Sequence, residues 1–214
     1  LRQIGFDVIP VTRRAILDFV EVKNYFETPE GDFLVHLAEE ANRSKFNEMG
    51  SFNQSEGKKL IKAVASRFSE YVIYISSGVV YGDLSATPKT ETDEVLATDH
   101  YSQFKIEQEK IVTELNGCIL RPANLYGSGM SSVNVITDII SQLSSPGPIR
   151  VRSSRPIRDF LYVEDFAVAI VKILQLKSRG IYNIGSGIGT SIDELARLIT
   201  ESNGQNGRKI IATH

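Results

Sequence analysis

Strand-like and helix-like runs alternate along almost the whole of this chain, and that alternation limits its fold more than any other feature. Residues 7–12, 18–22, 32–37, 71–76 and 117–121 are short apolar, β-branched or aromatic runs that read as strands. Helical patterning falls at 54–67, 99–115, 131–143, 164–176 and 191–202, and later strand-like runs at 149–152, 181–184 and 208–212. Strands separated by helices predict an α/β fold whose parallel sheet is covered by helices on both faces.

The 214 residues are 42% hydrophobic and 23% charged, enough apolar material for a sizeable core. A net charge of -2, with no basic stretch, argues against a nucleic-acid partner. No apolar run approaches membrane-spanning length and no signal peptide opens the chain, so neither a membrane nor export is expected. The single cysteine, Cys118, rules out an internal disulfide, fits a reducing cytoplasm and reads as core filler in the run CILRP. His36, His100 and His214 lack metal-ligand spacing, and no metal site is expected.

Chemistry concentrates at Ser77 and at Tyr101-Ser102-Gln103-Phe104-Lys105. Ser77 ends the apolar run YVIYIS, at the strand end where open α/β sheets place their ligands. A spacing of four puts Tyr101 and Lys105 on one helix face, one turn apart, so the ammonium is expected to lower the phenol's pKa. A serine hydroxyl opposite shares the substrate oxygen whose proton moves, which is the apparatus for hydride transfer at a carbinol carbon. Ser76, one residue earlier, points to the other face of the strand end. A Tyr-x-x-x-Lys pair by itself also suits an ordinary exposed helix face.

The surrounding text is more specific. DFLVHLA (32–38), YISSGVVYGD (74–83), YSQFKIEQEK (101–110), LRPANLYGSG (120–129), RDFLYVEDFAVAI (158–170) and IYNIGSG (181–187) follow in order. This series, covering about residues 5–200, resembles the extended short-chain dehydrogenase/reductase family, the NAD(P)-dependent epimerases, dehydratases and reductases of nucleotide sugars. The resemblance implies a Rossmann-type doubly wound sheet at 1–126 and a smaller substrate-binding lobe at 127–214. Parts of 150–178 are expected to return to the Rossmann domain. It implies Tyr101 as acid/base, Lys105 also holding the nicotinamide ribose, and Ser77 orienting the substrate. Leu37 and Ala38 would pass beneath the cofactor, and Pro122 and Ala123 would border the nicotinamide. Gly78, Asn124 and Arg158 would contact a nucleotide-diphosphate sugar, Arg158 clamping the diphosphate; without the resemblance, a salt bridge from Arg158 to Asp159 or Asp165 is an even alternative. The family packs the helix at 99–115 against its twin, implying a homodimer.

Departures narrow the reaction. Dehydratases of this kind carry an acidic pair after the hydroxyl residue, and here those positions are Gly78 and Val79, which leaves epimerisation or ketone reduction. Thr12, Arg13 and Arg14 end the second strand of the family pattern, where NAD-selective members place an aspartate. Two guanidinium groups suit a 2′-phosphate, so NADP(H) is favoured, with NAD(H) possible. A reductase gains from drawing on NADPH, whereas an epimerase regenerates its cofactor within each turnover. The favoured reading is therefore an NADPH-dependent reductase of a nucleotide-linked 4-keto-deoxysugar. The alternatives are a 4-epimerase with tightly bound NAD and a degenerate, non-catalytic binding subunit.

Other features qualify that mapping. After Ala38 the family continues with small residues, whereas this chain has Glu39 and Glu40, whose carboxylates are expected to point away from a pyrophosphate. Asn53 or Gln54, before Gly57, fills the family's helix-start asparagine position. Gly185-Ser186-Gly187-Ile188-Gly189 imitates a dinucleotide loop but reads as a turn in the substrate lobe. Residues 82–99 read as a loop over the active site. The opening LRQIGFDVIPVTRR reads as a helix end, a turn and a strand, so the family's first strand and glycine-rich loop, and its last C-terminal stretch, are expected to lie outside this sequence.

Overall fold

The computed structural model describes residues 2, 5–40, 42–49, 52–82 and 87–213, with residues 52–58 described by backbone only. Along the chain the elements are β1 (Val11–Thr12), β2 (Val20–Glu21), β3 (Gly31–His36), α1 (Arg43–Met49), α2 (Phe52–Ala65), β4 (Phe68–Ile75), α3 (His100–Glu114) and β5 (Cys118–Pro122). There follow β6 (Asn124–Tyr126), α4 (Val135–Ser141), β7 (Ile149–Val151), β8 (Ile157–Tyr162), α5 (Val163–Leu176), β9 (Gly180–Ile184), β10 (Gly189–Ser191), α6 (Ile192–Ser202) and β11 (Ile210–Ala212). They form two compact units, Leu1–Arg121 with Ala167–Asn183, and Pro122–Phe166 with Ile184–His214.

The first unit is built on a four-stranded sheet of order β3-β4-β5-β9, in which β3, β4 and β5 pair in parallel. In β4, Tyr71, Val72, Ile73 and Tyr74 are buried one after another, as a strand covered on both faces requires. Ile61 of α2 and Ile111 and Val112 of α3 pack with Val72, Tyr74 and Ile119. Each such side chain contributes about 1.5–3 kcal/mol on burial. The strands β1 and β2 pair in parallel as a separate ribbon. Cys118 is fully buried in β5, and burial pushes its thiol up to about 12, consistent with an inert filler.

Helix α3 enters and leaves the sheet at fixed points. Asp99 caps its start, accepting from the Ser102 backbone N–H at 2.8 Å while the Ser102 hydroxyl answers the Asp99 N–H. At its end, a Cβ on Gly117 would lie 2.6 Å from both the Val72 carbonyl and Val112 Cγ1, so only glycine lets helix and strand approach so closely. Between these ends lies a buried polar network. Arg121 of β5 donates to both Glu109 oxygens, at 3.0 and 2.6 Å, and to the Tyr81 hydroxyl at 2.6 Å. Tyr81 donates to Asn183 at 2.8 Å, and the Ser76 hydroxyl donates to Glu109. Ser76 therefore faces away from the Ser77 side of the strand end.

In the second unit β8 lies between β6, parallel to it, and β10, antiparallel to it, while β7 and β11 form a parallel pair. Its core joins Ile136 and Ile139 of α4, Ile149 and Val151 of β7, and Ile192, Leu195 and Ala196 of α6.

The architecture is the expected α/β fold with a parallel sheet. It adds α1, β6, β8 and β10, and β1 is shorter than the run 7–12. Two of these elements escape sequence patterning because they bury little: α1 buries only Phe46, and Asn124–Tyr126 is exposed throughout. Removing one partner of a buried ion pair strands the other, so Arg121→Ala is expected to cost about 3–5 kcal/mol, against about 0.5–1.5 kcal/mol for Ile119→Val in the same sheet. Urea denaturation of the two variants at neutral pH measures both.

Candidate active site

Ser77 follows β4 and caps the 3-10 turn Gly78–Tyr81, its hydroxyl accepting from the Val79 N–H at 3.3 Å. Tyr101 stands in the first turn of α3, near enough to Ser77 for the serine side chain to favour its ionised form. Lys105 lies one turn on, with its Nζ 5.6 Å from the centre of the Tyr101 ring. The three residues thus meet at one strand end, as the spacing predicts. Phe46 of α1 packs edge-on to Tyr101 at 5.6 Å, and Asn47 accepts from its backbone N–H at 2.9 Å.

Lys105 is 5% exposed. Its ammonium donates to the Ile75 carbonyl at 2.8 Å and to Glu39 at 2.5 Å. Glu39 also accepts from the Tyr74 hydroxyl at 3.1 Å, and its other oxygen is 3.4 Å from His36 Nε2. Burial pushes the Glu39 carboxyl up, but Lys105 and His36 more than offset this and hold it below the ordinary carboxylate range. Tyr101 departs from the simple expectation. Lys105 and Ser77 do favour its ionised form, yet burial and the Glu39 charge outweigh them, and its phenol lies above the usual value.

The remaining sequence-predicted residues fall on several elements of the two units. Thr12 ends β1, its hydroxyl accepting from the Arg14 N–H at 3.1 Å, and Arg13 lies over the Tyr25 ring at 5.0 Å. Leu37 and Ala38 follow β3, with Leu37 65% exposed, and Gly78 opens the turn after Ser77. Glu40 turns outward to Lys45, whereas Glu39 turns inward to Lys105. In the second unit Pro122 ends β5, Asn124 opens β6 and donates to the Asp159 carbonyl at 3.1 Å, and Arg158 lies on β8. The Gly185–Gly189 turn belongs to this unit and closes on the Asp159 carboxylate, which accepts from Ser186 and Gly187. The side chains of Asn53 and Gln54, and loop residues 83–86, lie outside the described residues.

A family model described as the NAD dependent epimerase/dehydratase family matches residues 2–185. The chain belongs to this family. A putative UDP-glucose 4-epimerase of Methanocaldococcus jannaschii is 28% identical over 89% of this chain and 60% of its own length. The GDP-6-deoxy-D-mannose reductase of Pseudomonas aeruginosa is 27% identical over 79% of this chain and 62% of its own. The chain thus spans about three-fifths of the length of these relatives. The crystal structure of UDP-N-acetylglucosamine 4-epimerase from Bacillus cereus superposes with a TM-score of 0.82 at 23% identity, over 99% of this chain and 78% of that one. Structures holding NADPH and structures holding NAD are both among those it resembles.

Against the family pattern, the parts that sequence reading missed are Glu39 as an inward-facing group and α1 as a support. Glu39 carried a signal, since it stands where the family has small residues. Helix α1 carried none. It holds the start of α3 through Asp99, which accepts from Arg43 at 2.5 Å and Asn47 at 2.8 Å. Burial opposes ionisation of Asp99, but the Ser102 N–H, Asn47 and Arg43 prevail and hold its carboxyl well below the usual range. A group with a depressed folded-state pKa stabilises above its unfolded value, near 4, and that contribution fades as pH falls toward the folded value. Asp99→Ala is therefore expected to cost about 0.5–2 kcal/mol at neutral pH. It also makes the melting temperature less sensitive to acid below about pH 4, which calorimetry across that range checks.

Proposed function

We propose that this chain carries the hydride-transfer site of an NADPH-dependent reductase acting on a nucleotide-diphosphate 4-keto-deoxysugar. The observation that carries this reading is the cluster of Ser77, Tyr101 and Lys105, in which the Tyr101 phenol is held toward its protonated form. Reducing a ketone needs a proton donor at the oxygen, and a protonated phenol is one. The relatives include both a 4-epimerase and a reductase by name, so the choice rests on this chain's own residues.

The residues present suit a nicotinamide dinucleotide. Lys105 and Glu39 set an ammonium donor beside a carboxylate acceptor, a combination that fits the neutral diol of a ribose. Arg13 and Arg14 follow β1 with no carboxylate at Thr12, which suits a 2′-phosphate better than a bare 2′-hydroxyl. When bound, the dihydronicotinamide supplies the hydride for the carbonyl carbon. Tyr101 gives its phenolic proton to the carbonyl oxygen as that oxygen takes the π electron pair, leaving a secondary alcohol and a tyrosinate. Ser77 holds the same oxygen in line, and Lys105 stabilises the tyrosinate until solvent returns a proton. Asn124 and Arg158 are the proposed diphosphate contacts, Pro122 and Gly78 complete the proposed binding residues, and a homodimer through α3 belongs to the same reading.

The second reading, a 4-epimerase with bound NAD, is favoured by the name of the archaeal relative. Nicotinamide absorbance with a panel of UDP-, dTDP- and GDP-linked 4-keto-deoxysugars separates the two: a reductase consumes one NADPH per product, an epimerase none. Tyr101→Phe in the full-length protein is expected to lower turnover on the order of 10²–10⁴-fold while sparing binding. Undiminished turnover overturns the role. Replacing Arg13 and Arg14 by alanine is expected to weaken NADPH binding on the order of a hundredfold and NADH binding little. Equal losses in a fluorescence titration overturn the NADP(H) assignment.

A further inference from the structure

Glu39 was not among the contacts expected from the sequence, yet beyond its place beside a ribose it lies directly against Lys105 of the catalytic trio. It leaves the end of β3 and turns inward, its side chain 13% exposed. Three groups from two strands and a helix converge on it: His36 of β3, Tyr74 of β4 and Lys105 of α3. Tyr74 is itself fully buried and stacked on His36, with ring centres 6.0 Å apart. A carboxylate with that many donors is held in one place, and it holds Lys105 in turn.

The charge consequence reaches Tyr101. An unpaired ammonium beside a buried phenol would draw it toward the phenolate, because charges interact strongly where water is excluded. With Glu39 2.5 Å from Lys105 Nζ, the pair presents less positive charge to the ring than the ammonium alone would. The other groups acting on Tyr101 are Ser77 after β4 and Arg43 of α1, and Arg43 is tied to Asp99. Glu39 is therefore the group that offsets part of the lysine's charge at Tyr101.

We propose that Glu39 is a positioning residue of this site, fixing the Lys105 ammonium against the end of β4 and offsetting part of its charge at the Tyr101 phenol. This rests on the hydride-transfer reading for its purpose, but its test needs no substrate. Ultraviolet titration of the full-length protein, with the same titration of Tyr101→Phe subtracted, isolates the ionisation of Tyr101 from the other tyrosines. Glu39→Gln, measured against Glu39→Gln/Tyr101→Phe, is expected to move that midpoint down by about one to three pH units, the range for a charge at this separation. The alkaline limb of reductive turnover is expected to move with it. A folded Glu39→Gln protein with an unmoved midpoint overturns the proposal.

Glu39→Gln leaves a buried ammonium without its partner, so the double variant Glu39→Gln/Lys105→Gln provides a second test with buried charge balanced. Its midpoint is expected within about one unit of the wild type, because a neutral pair has been replaced by two neutral groups. A larger displacement overturns the offset. Should Tyr101→Phe retain full turnover while these midpoints behave as stated, the functional reading fails and the Glu39 proposal stands; the reverse pattern separates them the other way.

Discussion

Helix α3 buries Ser102, Lys105, Gln108 and Glu109 on the side it turns to the sheet, and each of its two buried charges is answered from a strand end. Glu39, after β3, receives Lys105, and Arg121, in β5, receives Glu109. Taking an ion out of water costs several kcal/mol even after relaxation, so neither charge is tolerable without its partner. The two pairs, one turn apart, register the helix on the sheet. Rotating α3 by one residue would swing both charges by about 100° and strand all four. That register is what sets Tyr101 opposite Ser77.

The same pairing links stability to chemistry. Apolar packing of Ile111 and Val112 holds α3 down, but it is nearly indifferent to small slides, whereas the ionic contacts are not. A lysine fixed by a carboxylate is also a lysine whose charge is partly offset. The Tyr101 phenol therefore feels its burial more than its cationic neighbour, and it rests as an acid.

Much of the site was legible in the chain. Tyr101 and Lys105 share a helix face because any two residues four apart do, and the alternation of a strand separates Ser76 from Ser77, sending one to Glu109 and the other to Tyr101. The apolar runs at 71–76 and 117–121 are central strands because only covered strands tolerate such continuous hydrophobicity. Helix α1 was not legible, since its one buried residue makes no pattern. The inward turn of Glu39 was not legible either. An acidic residue after a strand is usually solvated, and only the fold brings it against a lysine 66 positions away.

By itself, then, the sequence determined the α/β class through its periodicity, pointed to the family through its ordered motifs, and put Tyr101 and Lys105 on one helix face through their spacing. The tertiary structure alone decided the protonation balance at Tyr101. Burial and the Glu39 charge come from separate elements, and their weight against Lys105 depends on how far water is excluded where those elements meet.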